Sequence, residues 1–173
     1  MLDFVDNHQS ARTIEPVQTS AGQEVSYTVS ARAKQMVGGS NQSIVDYLRA
    51  AYVRLSLDQI DSVFGFVERS TLYGGRPFVE PELSAPDIWA LYDNGIGYRL
   101  PISNSIVDRE EYLEAKAFLG KYHRDGNSVI VTNDDLAGWI REYFPMYKIE
   151  ASAIKNIDNP RKLKPLFSSP ARI

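Results

Sequence analysis

The chain has 173 residues, 43% of them apolar and 24% charged, which suits one soluble globular domain with a sizeable core. The absence of Cys excludes disulfides, cysteine nucleophiles and thiolate metal sites, and His8 and His123 offer no zinc cluster, so neither metal nor cofactor is expected. A formal charge of −3 argues against nucleic-acid binding, no apolar run reaches the ~18–20 residues that span a bilayer, and the start is no secretory signal, so a cytoplasmic protein is expected.

Residues 1–23 are polar and rich in Gln, Ser and Thr, and read as a leader or arm ahead of one α/β domain over 24–173. In that domain, Val25, Tyr27 and Val29 alternate through a first strand at 24–30, followed by a Gly-Gly-Ser-Asn turn at 38–41. From Ser43 onward Ile44, Val45, Leu48, Tyr52 and Leu55 make one helical stripe. Residues 60–67 form an apolar second strand through Val63, Phe64 and Phe66. A long loop then leads to a helix starting at Ser84, with Pro86 in its first turn and Asp87 in the capping-box position. Asn94-Gly95 closes that helix, and residues 97–102 are the third strand.

Asp108 caps a longer helix with Tyr112, Ala115, Leu119 and Tyr122 facing inward, ended by Asp125-Gly126. Val129, Ile130 and Val131 form a short buried strand. Asn133 or Asp134 caps a fourth helix whose face is Leu136, Trp139, Ile140 and Phe144, and Pro145 blocks its continuation. Residues 147–154 are a fifth strand, and Asn159-Pro160 opens a last short helix.

Five βα units with connections too long for hairpins give a parallel α/β sheet. It is either a partial (β/α) barrel or an open, doubly wound flavodoxin-like sheet. Both architectures bind ligands at the carboxyl ends of their strands, which makes the loops there the candidate site. Those loops carry Arg32 and Lys34, then Arg69 with Gly74-Gly75-Arg76, then Ser103-Asn104, Asn133-Asp134, and Ser152 with Lys155. Guanidinium forks and backbone N–H groups in such loops suit a small polar or anionic ligand. Two glycines before Arg76 allow a tight turn or a close approach to a ligand, although a plain turn uses glycine equally well. Asn104, Asn133 and Asp134 also serve as ordinary helix caps, and Arg69 with Glu68 reads equally as a surface pair. Lys155 is the candidate amine nucleophile or electrostatic stabiliser, and Glu150, next to Ile149 in the fifth strand, is a candidate general base if it faces inward.

The order of three segments resembles the U32 peptidase-like family. They are Asn127-Ser-Val-Ile-Val-Thr-Asn-Asp-Asp-Leu-Ala, Ile140-Arg-Glu-Tyr-Phe-Pro, and Lys148-Ile-Glu-Ala-Ser-Ala-Ile-Lys-Asn-Ile157. The Ala50-Ala51 helix, the strand at 61–66 and Tyr98-Arg-Leu-Pro-Ile-Ser-Asn104 fall in matching order, so the resemblance covers about residues 40–160. It implies a (β/α) barrel of which this chain holds the N-terminal part. It also implies either peptidase or collagenase-like activity, or hydroxylation of RNA or quinones with Fe–S clusters, for which this sequence has no cysteine ligands. Ser103, Asn104, Asn133, Asp134 and Ser152 match the family's rim positions and are implied pocket residues.

The leading expectation is a barrel-type domain that binds a small polar or anionic ligand. A hydrolase or lyase using Arg76, Lys155 and Asn133 on a polar substrate is the enzymatic alternative. A protein-interaction module using the leader and an exposed sheet edge is the third. Five units leave two sheet edges unpaired, so a homo-oligomer or a partner protein that completes the sheet is expected.

Overall fold

The computed structural model describes residues 25–34, 42–155 and 157. The leader, the turn at 38–41 and the Asn159-Pro160 helix start lie outside them. In chain order the elements are β1 (Tyr27–Ser30), α1 (Ile44–Ala51), β2 (Ile60–Phe64), α2 (Ala85–Asp93), β3 (Gly97–Leu100), α3 (Arg109–Glu114), α4 (Lys116–Lys121), β4 (Ser128–Val131), α5 (Asp134–Tyr143) and β5 (Lys148–Ala151).

The helix starts are those expected from the caps. Ser43 accepts from Asp46 N (3.1 Å), Asp108 from Glu111 N (2.9 Å) and Asn133 from Leu136 N (3.0 Å). Ser84 and Asp87 complete a reciprocal capping box. Each such cap is worth about 1 kcal/mol to the helix it starts.

One expected helix is divided. The stretch after Asp108 leaves helical geometry at Ala115, where ψ is −1°, and becomes α3 and α4. The two pieces are tied to different partners. Tyr112 Oη donates to Trp139 O on α5 (3.1 Å), whereas Tyr147 Oη, just before β5, donates to Leu119 O on α4 (2.7 Å).

Three strands end sooner than their apolar patterns, β3 stopping at Leu100, whose carbonyl accepts from Ile102 N (3.0 Å). After β2, Phe66 N donates to the Glu82 carboxylate (3.0 Å) and Phe66 O accepts from Glu82 N and Leu83 N, so this backbone has left the ladder. After β5, Ser152 accepts Ile154 N on its Oγ and Lys155 N on its carbonyl, turning the chain into one 3₁₀ turn.

The sheet has the order β1-β2-β3-β4-β5, all parallel. The class is α/β, and this sequential order is the winding of a (β/α) barrel wall. It contains no reversal of the kind that makes the switch point of a doubly wound sheet. The helices pack their apolar residues into one core with one face of this sheet.

Alternation and register assign the two sheet faces. Val29, Val63, Tyr98, Leu100, Val129 and Val131 are buried and join Ile44, Leu48, Leu91, Leu136 and Ile140 of the helices in one apolar core. On the opposite face Thr28 stands beside Ser62, their hydroxyls 2.9 Å apart. Phe64, Arg99, Ser128 and Lys148 follow in register across β2 to β5, with Glu150 beside Ile130 in the next row. Among the described residues, no helix is long and apolar enough to cross a membrane.

Candidate functional site

The carboxyl ends of the strands hold several charged side chains, and Lys34, Arg76 and Lys155 there each have a carboxylate partner. Beyond β1, Lys34 Nζ lies 2.6 Å from Asp87 Oδ2, both side chains buried. Burial alone would raise the Asp87 carboxyl. The Lys34 ammonium and the Ser84 N–H and hydroxyl more than offset it and hold Asp87 below the usual carboxylate range. The same carboxylate accepts from Ile44 N at 2.9 Å, so it ties the chain after β1 to the starts of α1 and α2.

Beyond β2, Arg76 donates to the buried Glu82 at 2.6 Å and lies 3.9 Å over the Phe66 ring. Arg76 is therefore held by a carboxylate and a ring face. Arg69 is exposed and sits apart, 5.2 Å over Phe78. The expected Arg69–Glu68 surface pair is not formed: Glu68 instead accepts from Lys121 Nζ (3.0 Å) and Tyr122 Oη (3.0 Å). Neighbours in sequence have diverged because Glu68 turns toward α4.

Gly74, Gly75, Ser103 and Asn104 come together. The backbones of the β2 and β3 loops touch at Gly74, where an added Cβ would overlap the Ser103 carbonyl and lie 2.6 Å from Asn104 N. Asn104 N donates to Leu72 O (3.1 Å) and its side-chain amide to Thr71 O (2.9 Å). The close approach that two glycines permit is thus made to another loop. Gly75 has φ +82°, a conformation glycine adopts without steric cost.

Asn133 caps α5 and donates to Val107 O at 3.0 Å, joining the β4 loop to the β3 loop. Asp134, the residue after it, is ion-paired with Lys155. Lys155 is largely enclosed and is engaged by that carboxylate. Ser152 is buried and shapes the turn that carries Lys155. The loops after β2, β3, β4 and β5 are therefore linked in succession, with Arg76 and Lys155 each matched by a carboxylate.

Glu150 lies on the other face of the sheet from the helices, where it pairs with Arg99. Arg99 belongs to β3, the central strand, and its Nε is 3.3 Å from Ser128 Oγ. Loss of water around the Arg99 guanidinium pushes its pKa down, partly countered by the Asp61 carboxylate. Lys148 Nζ is 3.8 Å from Glu150, and Asp61, Ser128, Lys148 and Glu150 line a cleft of about 190 Å³ at the amino ends of the strands. This cluster is the most concentrated polar chemistry on the sheet. Arg99 lies within a strand and not in a loop at its carboxyl end, and its place between core-facing Tyr98 and Leu100 is the signal that identifies its face. The buried Glu82 had no comparable signal, because only the fold brings it under β2.

Among the described residues, no group of three or more His, Asp or Glu is arranged to hold a metal ion. In comparisons with known proteins, no family model, no curated protein and no solved structure matches the chain.

Proposed function

We propose that the chain is a partial (β/α)-barrel domain that binds a small polar ligand on the second face of its sheet, with Arg99 and Glu150 as the recognition pair. One observation carries this reading: a mostly enclosed guanidinium on the central strand, turned away from the helices and paired with a carboxylate. Taking a charge from water costs several kcal/mol unless it is well paired, a condition the Arg99–Glu150 pair meets. Parallel sheets also have both faces covered as a rule. A ligand bearing both an acid and an amine matches the cluster, its acid on Arg99 and Lys148 and its amine on Glu150. Arginine gives such a carboxylate a bidentate partner.

The test is calorimetric titration of the full chain with a panel of amino acids, dicarboxylates and diamines. Binding of an amphoteric compound, weakened at least about tenfold by either Arg99→Gln or Glu150→Gln, is the expected result; a tenfold loss corresponds to about 1.4 kcal/mol. A flat titration across the panel, or binding indifferent to both substitutions, overturns the reading. Self-association is a second reading, favoured by β1 and β5 each having one edge that no strand among the described residues pairs. Native mass spectrometry decides it, a monomer counting against.

A further inference from the structure

A second cavity lies between α2 and α4, adjoining the cleft at the amino ends of the strands through Asp125, with a volume of about 480 Å³. Ile88, Trp89 and Tyr92 line it from α2, and Lys121, Tyr122 and Arg124 from the end of α4 and the turn beyond. Trp89 is 65% exposed, an unusual position for so large an apolar ring, and meets Tyr92 edge-to-face with centroids 6.0 Å apart. A volume of this size falls in the range of small-molecule sites.

The charges of the lining are not equivalent. Lys121 is bound by both oxygens of Glu68, at 3.0 and 3.2 Å. The Arg124 guanidinium lies 3.8 Å over the Tyr92 ring, and among the described residues no carboxylate pairs with it. Tyr92 is itself fixed, its hydroxyl accepting from Asn127 Nδ2 (2.7 Å). The buried Asn127 amide also donates to Tyr122 O (2.8 Å) and accepts from Tyr98 N (2.7 Å), which anchors this unit to β3. The cavity thus combines aromatic walls with one pre-positioned guanidinium whose N–H donors are available. Asp125, the one carboxylate in the lining, disfavours a ligand of high negative charge.

We propose that this cavity is a binding site for a flat aromatic monocarboxylate, its ring against Trp89 and Ile88 and its carboxylate on Arg124. The ring gains by leaving water, and the carboxylate forms charge-assisted hydrogen bonds that a neutral analogue cannot match. Asp125 lines both this cavity and the cleft beside Glu150, but Arg99, Lys148 and Glu150 do not line this cavity.

The probes are cinnamate and its uncharged counterpart cinnamamide, titrated into the full chain by calorimetry. Trp89 emission, recorded in a Trp139→Phe background, locates the binding. Cinnamate is expected to bind and to change Trp89 emission, with cinnamamide about tenfold weaker or worse. Arg124→Gln brings the acid down to the level of the amide, and Trp89→Ala weakens both. Arg99→Gln leaves all of this unchanged, which separates the outcome from that of the sheet-face site. Both Arg124 and Trp89 are exposed, and a thermal melt of each variant confirms the fold. Equal affinity for acid and amide, no binding of either probe, or indifference to Arg124→Gln overturns the proposal.

Discussion

Replacing Asp87 with Ala unlinks three parts of the fold at once. Its carboxylate accepts from Lys34 Nζ (2.6 Å), Ile44 N (2.9 Å), Ser84 N (2.8 Å) and Ser84 Oγ (2.7 Å). Removing one member of a buried pair costs about 3–5 kcal/mol, because the other charge is left without a partner. Here that charge is the Lys34 ammonium, whose side chain is 5% exposed. Loss of the capping box adds about 1 kcal/mol, and the orphaned Ile44 N–H about the same. These contributions overlap, so Asp87→Ala is expected to lose about 4–6 kcal/mol, a large part of the ~5–15 kcal/mol that holds a domain folded. Lys34→Met should lose less, about 2–3 kcal/mol, since the carboxylate keeps its other donors. Urea unfolding followed by circular dichroism measures both. Acidification provides an internal check. The Asp87 carboxyl is held below its ordinary value, so its stabilisation is complete above the unfolded pKa of about 4 and is lost as pH falls through the folded value. Asp87→Asn should flatten that part of the acid limb. An Asp87→Ala variant within about 1 kcal/mol of the parent, or a Lys34→Met variant more damaged than it, would refute the reasoning.

Two further outcomes follow from single side chains. Gly74→Ala forces the β2 and β3 loops apart and should cost about 1–3 kcal/mol. Gly75→Ala, which meets only backbone strain at φ +82°, should cost about 1 kcal/mol, and thermal melts showing the opposite order would contradict the loop contact. Tyr98→Phe leaves the Gly65 carbonyl without its 2.8 Å donor and should cost about 1–3 kcal/mol. Burial, then the neighbouring tyrosines Tyr73 and Tyr122, push the Tyr98 phenol well above its ordinary value. The stability it supports is therefore complete below about pH 10 and is lost as pH rises beyond, so Tyr98→Phe should make the alkaline decline shallower in a series of unfolding curves.

The fold was readable because its signals are local. Ser43, Ser84, Asp108 and Asn133 each mark a helix start by hydrogen bonds within three residues, and Gly95 and Gly126 mark turns by their positive φ. Where pattern and structure part, the cause is a distant partner. Glu82 draws Phe66 off β2, and Tyr112 and Tyr147 hold the two halves of one helical stripe to different elements. The site was less legible for the same reason. Reading loops one at a time shows that Lys155, Arg76 and Lys34 are cations near strand ends. It does not show that Asp134, Glu82 and Asp87 stand ready to match them. Arg99 and Glu150 lie 51 residues apart and become neighbours only through a strand register.

The sequential strand order has a bearing on how the chain assembles. Every internal strand pairs only with the strands just before and after it in sequence. Among the described strands no pairing must wait for one distant in sequence, so each βα unit can dock on the one already formed, and loop-closure entropy is met in modest instalments. Removing the final unit would take away an edge and leave every other pairing in place. The cross-sheet pair between Arg99 and Glu150 spans two such steps, which makes it a late reporter that β3, β4 and β5 have all reached their register.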